Sequence, residues 1–212
     1  MVVFEPQNIC PVPVSRKADA AFSSPDAPAW CLQLLSAPNL CPIAAQSRQP
    51  KASTEDSFFA ETLATDTTIT AWQSFYRTLE SPQIDSMRSA NEDNSSVPIA
   101  GELVTLLALG RGMNGHSDVA HGGLVSAILD ETMGMVVTFH RSPGMSGYTA
   151  FLNVTFKKPV PTPSVVLCRT WLQRKSEGRK LWLWGTVEDG QGGLFAEAES
   201  LVVETKRKMQ KL

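Results

Sequence analysis

Residues 121–139 read HGGLVSAILDETMGMVVTF, a small and apolar run with two adjacent acids, Asp130 and Glu131, near its centre. Its apolar positions recur at helical spacing, so the stretch from about Gly122 to Phe139 reads as one helix. At about 100° per residue, Gly123, Ser126, Ala127, Gly134 and Val137 fall within roughly 60° of Asp130. That face is small and tolerates polarity. Leu124, Val125, Ile128, Leu129, Thr132, Met135 and Val136 fill the other side, which needs a cover. A helix of about 18 residues spans about 27 Å, and an antiparallel sheet curled around it covers it economically.

The flanking sequence supplies such a sheet. Glu102 to Leu109 reads as a strand and leads into the glycine-rich loop Gly110 to Gly115. Beyond the helix, Tyr148 to Lys158, Ser164 to Arg174, Lys180 to Glu188 and Leu194 to Glu204 read as strands. The links Ser176–Arg179 and Asp189–Gly193 are short enough for hairpins, so the last three strands should be consecutive antiparallel neighbours. The expected class is α+β, with about five antiparallel strands wrapped around one long central helix in a domain spanning residues 100–206.

Upstream the texture differs. Eight of the fourteen prolines precede residue 51, and residues 1–52 are expected to form an extended or partly disordered arm whose apolar patch, Trp30 to Leu35, could dock on the body. Residues 53–88 are expected to be a helical extension in two pieces, the second capped by Asp66 and carrying Ile69, Trp72, Phe75, Tyr76 and Leu79. The polar run Ser89 to Ser96 reads as a solvated linker.

Composition narrows the function. A net charge of −2 and a pI near 5.9 give no basic field for nucleic acid. Even the most apolar segment holds Asp130 and Glu131, so no membrane span is expected. Prolines interrupt the N-terminus where a signal peptide needs an apolar core, which favours a cytoplasmic address and leaves mitochondrial and peroxisomal ones open. Cys10, Cys31, Cys41 and Cys168 form no CxxC pair and have no His at zinc-ligand spacing. Neither a metal site nor a cofactor is expected, and Cys168 reads as a small buried hydrophobe.

The helix start carries chemistry. The first turn of a helix presents backbone N–H groups without intrahelical acceptors, together with a partial positive charge, and Gly122 and Gly123 leave them unshielded. A thioester carbonyl there would gain hydrogen bonds that strengthen as its oxygen becomes an oxyanion. Asp130 could then activate water as a base or attack as a nucleophile. Gly123 and Asp130 lie about 10 Å apart along one helix axis, too far to share a carbonyl. A two-fold dimer with antiparallel helices brings the donors of one chain to Asp130 of the other.

Asn114-Gly115, then Val119-Ala120-His121-Gly122-Gly123-Leu124 through Asp130, then Thr149-Ala150-Phe151-Leu152-Asn153-Val154-Thr155-Phe156-Lys157-Lys158-Pro159, form a specific set. The set resembles the hotdog-fold acyl-CoA thioesterases of the phenylacetate-pathway and THEM type, in the 4-hydroxybenzoyl-CoA thioesterase superfamily. The resemblance covers roughly residues 100 to 205. It implies hydrolysis of an acyl thioester of CoA or of an acyl-carrier protein by a homodimer or a dimer of dimers. It also implies that the Gly123 amide polarises the carbonyl, that Asp130 is base or nucleophile, and that Thr149 positions water. Asn114, Ser126 and Asn153 become substrate-binding candidates, and His121 shapes the turn. The region before residue 100 lies outside the match and looks like a lineage-specific addition, similar to those in fungal enzymes of polyketide or fatty acyl metabolism.

Other readings compete. Glu131, about 100° around the helix from Asp130, is the backup carboxylate. A hotdog hydratase or dehydratase would need a His beside the acid, and the next His after Asp130 is His140. A non-catalytic acyl-binding protein would not require the carboxylate. His116 and His140 read as surface or structural residues. Trp171, Trp182 and Trp184 read as sheet packing before an acyl-binding wall. Lys157, Lys158, Arg174, Lys175, Arg179 and Lys180 read as edge charge before a phosphate-binding set.

Overall fold

A computed structural model of the chain describes residues 15–37, 39–79, 101–175 and 178–206. The elements in order are α1 (Arg16–Phe22), α2 (Ala29–Leu35), β1 (Leu40–Ile43), β2 (Ile69–Thr78), β3 (Gly101–Leu109), β4 (Asn114–His116) and β5 (Val119–Ala120). They continue as α3 (Gly122–His140), β6 (Met145–Phe156), β7 (Ser164–Lys175), β8 (Lys180–Glu188) and β9 (Leu194–Lys206). The expected linker Ser89 to Ser96 lies outside the described residues.

Helix α3 sits where its sequence demands. Leu124, Val125, Ile128, Leu129, Met133 and Val136 are buried in one core with Leu103, Leu107, Val166, Cys168, Leu181 and Leu183 from the sheet. Each fully buried aliphatic side chain of this kind contributes roughly 1.5–3 kcal/mol of burial free energy. Gly185 on β8 lets the helix come close, because a Cβ there would lie 2.8 Å from Met133 Cε and 3.2 Å from Leu129 Cδ2. By length and composition alone α3 would also suit a membrane span, contrary to expectation, and its apolar residues here are those of a core helix.

The α+β arrangement holds, and the sheet is larger than expected. Seven strands run in the order β1-β2-β3-β7-β8-β9-β6, every neighbouring pair antiparallel, with β4 and β5 forming a separate hairpin. The two additional strands come from the N-terminal region. The second piece of the expected helical extension, capped by Asp66 and carrying Ile69 to Leu79, is instead strand β2, paired with β3 from Thr78↔Gly101 to Ile69↔Leu109. Its apolar residues serve two cores: Ile69, Trp72 and Tyr76 face α3, whereas Ala71 and Phe75 face outward into a second cluster. Burial on both faces of a bulged strand mimics helical spacing.

That second cluster corrects the expectation of an extended arm. Helices α1 and α2 lie on the outer face of the sheet, where Ala18, Phe22 and Cys31 pack against Ala71, Phe75, Val104, Leu106 and Leu167. Ser15 caps α1 by accepting a hydrogen bond from the Ala18 amide at 3.2 Å. Trp30 of α2 lies against the β8–β9 turn, where a Cβ on Gly190 would meet its ring. On the same face, fully buried Glu102 accepts from Arg77 on β2 and from Arg169 Nε and Nη2 on β7 at 2.9 and 2.8 Å. These contacts tie three strands together.

Residues 43–63 form a strap that returns to α3. Arg48 fastens it, donating to the carbonyls of Phe59, Leu63 and Ile69 at 2.8, 2.9 and 3.0 Å while its guanidinium stacks on Trp72. The N-terminal layer is thus integral, which has a measurable consequence. Phe22, only 1% exposed, should cost about 3–5 kcal/mol of unfolding free energy when truncated to alanine, read by urea denaturation. A dispensable arm would give a loss within about 0.5 kcal/mol.

Candidate active site

The turn before α3 is held by backbone bonds from both sides. The Ala120 amide donates to Val160 O at 2.9 Å and the His121 amide to Met113 O at 2.8 Å. His121 adopts extended backbone angles and is the N-cap: its Nδ1 accepts from the Gly123 amide at 2.9 Å. The Gly123 donor, expected to be open, is therefore engaged by its own cap, and a carbonyl reaches it only when the imidazole gives way. A Cβ on Gly123 would lie 2.9 Å from that Nδ1, so a side chain there would displace the imidazole. Gly115 plays a similar part on the β4–β5 hairpin, its Cα approaching the other edge of the ring.

Asp130 lies half-buried on the free side of α3. Its Oδ1 accepts a hydrogen bond from Thr149 Oγ1 at 2.8 Å, joining the helix to β6. This bond fixes the carboxylate rotamer and leaves an acidic group presented beside an exposed strand. A β-bulge between Thr149 and Phe151 resets the facing of the rest of β6. After it, Leu152 and Val154 pack on the core around α3. Alternation along a strand then sends Asn153 to the outer face, away from Asp130. The structure does not bring Asn153 to the site.

The remaining candidates divide. Ser126 Oγ turns back to Gly122 O at 3.1 Å, so its hydroxyl serves its own helix. Asn114 accepts from Thr162 Oγ1, which ties the β4–β5 hairpin to the segment before β7. Glu131 points toward the strap, where burial pushes its carboxyl above the ordinary range. Burial likewise lowers His140 to about 4, leaving a neutral imidazole at the far end of α3. His121 is about 13 Å from Asp130 along the axis, so no His of the same helix partners the acid. Cys168 is fully buried, its thiol pushed up to about 12 by desolvation, and it lies 3.3 Å from Thr132 Oγ1. It has no nucleophilic character.

Trp171, Trp182 and Trp184 lie away from α3. Leu181 and Leu183 face the core, so Trp182 and Trp184 occupy the opposite face, and Trp171 pairs with Trp184 across β7–β8. Trp182 stacks with Phe151 and carries the Arg174 guanidinium 4.6 Å from its ring centre. Among the described residues no group of His, Cys, Asp and Glu could hold a metal ion. Sequence reasoning missed the strap residues Ser47, Lys51 and Asp56, which approach Glu131 across a long chain separation that no local pattern records.

Residues 118–181 match the model of the Thioesterase superfamily. An acyl-coenzyme A thioesterase, THEM4, of Mus musculus is 38% identical over 102 residues, which is 48% of this chain and 42% of that protein. A protein of Candida albicans described as mitochondrial is 31% identical over 112 residues, covering 50% of this chain and 49% of that one. A solved phenylacetic acid degradation-related protein of Ralstonia eutropha is 24% identical, with a TM-score of 0.45, over 48% of this chain and 75% of its own. The chain therefore spans less than half the length of these curated relatives. The segment similar to the Thioesterase superfamily model contains the β5 turn, all of α3, the Asp130–Thr149 pair and strands β6 and β7.

Proposed function

We propose that the chain hydrolyses an acyl-CoA thioester, with Asp130 as the catalytic carboxylate and the α3 amino terminus as the oxyanion donor. The observation that carries this reading is the Thr149–Asp130 hydrogen bond on the open side of α3. The bond holds a carboxylate in one orientation at a surface lined by small residues. The match of residues 118–181 to the thioesterase model, and the similarity to the acyl-coenzyme A thioesterase of Mus musculus, support the substrate class.

The working unit in this reading is a homodimer. Strand β6 is the sheet edge, twelve residues long, with Tyr148, Phe151 and Phe156 exposed by 62, 38 and 54%. A long exposed edge with aromatic side chains invites a partner strand. Two β6 edges paired about a two-fold axis would continue the sheet and set two α3 helices antiparallel, small face to small face. Gly122 and Gly123 of one chain then approach Asp130 of the other, which overcomes the separation of about 10 Å within one helix.

In the resulting site, a thioester carbonyl accepts from the helix-start amides, and the imidazole of His121 releases Gly123 as the carbonyl arrives. Asp130 takes a proton from water attacking the carbonyl carbon, or attacks that carbon itself to give an anhydride that water opens. The thiolate leaves and is protonated, and the products are the free acid and the thiol. The helix-start donors supply about 2.7–4 kcal/mol of transition-state stabilisation in sites of this type.

Asp130→Asn should lower kcat at least about a hundredfold in a thiol-release assay on acyl-CoAs, with near-normal thermal stability. Undiminished turnover would remove Asp130 from the mechanism. Thr149→Val should lower kcat by roughly tenfold by freeing the carboxylate rotamer, and Thr149→Ser should recover most of it.

A further inference from the structure

Thr162 stands in the segment between β6 and β7, and only 4% of it is exposed. A buried hydroxyl needs an acceptor for its hydrogen, and the one that Thr162 meets among the described residues is Asn114 Oδ1 on β4. The two residues are 48 positions apart, so no local pattern pairs them.

The β4–β5 hairpin does not need this bond to stay in place. Val119 bridges Pro161, the Ala120 amide donates to Val160 O at 2.9 Å, and the Thr162 amide donates to Asp118 O at 2.9 Å. On the other side the His121 amide donates to Met113 O at 2.8 Å. What the side-chain bond adds is a direction for the Asn114 amide. An asparagine amide has an acceptor edge and a donor edge, and half a turn exchanges them. With the oxygen against Thr162, the Nδ2 hydrogens are turned away from Thr162, and among the described residues they donate to nothing. The exchanged orientation would set Nδ2 against Thr162 Oγ1 and leave the buried hydroxyl hydrogen without that acceptor, which is costly.

The Asn114 side chain belongs to the turn that starts α3. Asn114 is paired with Ala120, the residue before the His121 cap. Gly115, next along β4, lies against the His121 ring, where a Cβ would fall 3.0 Å from Cδ2. Asn114 itself is half-buried, open enough for a ligand to reach. A carbonyl oxygen has two lone pairs, so a thioester carbonyl at the helix start can accept from a backbone amide and from Nδ2 together. The exchanged amide would meet that carbonyl with an oxygen, which repels it.

Resting on the thioesterase reading, we infer that Thr162 is a positioning residue: by occupying the Asn114 oxygen it presents the Asn114 Nδ2 hydrogens to the thioester carbonyl, beside the helix-start donors.

The test uses the full chain and two measurements. One is thiol release from octanoyl-CoA. The other is the infrared carbonyl stretch of a bound 2-oxoalkyl thioether of CoA, which keeps the carbonyl and cannot be hydrolysed. Thr162→Val removes the hydroxyl at nearly constant shape and should lower kcat about tenfold with KM within about threefold, and Thr162→Ser should recover most of the loss. Asn114→Asp keeps an oxygen for Thr162 and loses the Nδ2 hydrogens, and it carries the test should Thr162→Val not fold. It should cost at least about thirtyfold in kcat at near-normal thermal stability, and adding Thr162→Val to it should cost less than about twofold more. The bound carbonyl stretch should lie at lower wavenumber on the wild type than on either variant. Full activity in Asn114→Asp, or a Thr162→Val loss undiminished in the Asn114→Asp background, would overturn the inference. Wild-type turnover with the same stretch on all three proteins would also overturn it and keep the hydrolase reading. A stretch that depends on Thr162 without any thiol release would remove the hydrolase reading and keep the positioning role.

Discussion

The structure depends on a helix that must be covered on one side and left bare on the other. Leu124, Ile128, Leu129, Met133 and Val136 bury into the concave face of the sheet, which fixes the rotation of α3 about its axis. Fixing that rotation presents Asp130, Gly134 and the helix start away from the core, where large side chains are missing. A change at the buried face would therefore act on the site through rotation of the helix. The closeness allowed by Gly185, across from Met133 and Leu129, belongs to the same constraint.

The second layer reinforces it from behind. Helices α1 and α2 bury the outer face of β2, β3 and β7, and the Glu102 cluster joins those strands on that side. Removing one partner from a buried ion cluster leaves an uncompensated charge, which costs about 3–5 kcal/mol. The strap between β1 and β2 then brings Ser47 and Lys51 to Glu131, so the N-terminal region contributes to both stability and the shape of the site.

Much of this was legible in the sequence wherever one periodicity ruled. Helix α3 has one covered face, and β7, β8 and β9 are joined by short turns, so each segment announces its own state. Strand β2 misled because it is buried on both faces, and Ile69, Trp72, Phe75 and Tyr76 then repeat at helical intervals. Its aromatic and β-branched content was the available arbiter. Pro28, one of the prolines that suggested an open arm, instead stands directly before α2 and marks where that short helix begins. At the site, the matched motifs singled out Asp130 and Thr149 but not the hydrogen bond between them, and the bulge between Thr149 and Phe151 that reverses the facing of Asn153 is announced by no residue type. The His121 cap on Gly123 is likewise a matter of rotamer, which the triplet alone does not specify.

In the proposed homodimer, each active site takes its amide donors from one chain and its carboxylate from another. Subunit complementation distinguishes a shared site from one held within a single chain: inactive Asp130→Asn is mixed, under conditions of chain exchange, with inactive Gly123→Pro, which lacks the donor. Half of the dimers would be mixed, and each mixed dimer would hold one site with both native halves, so activity should return to about a quarter of the wild-type level. Exchange without recovery would contradict a shared site.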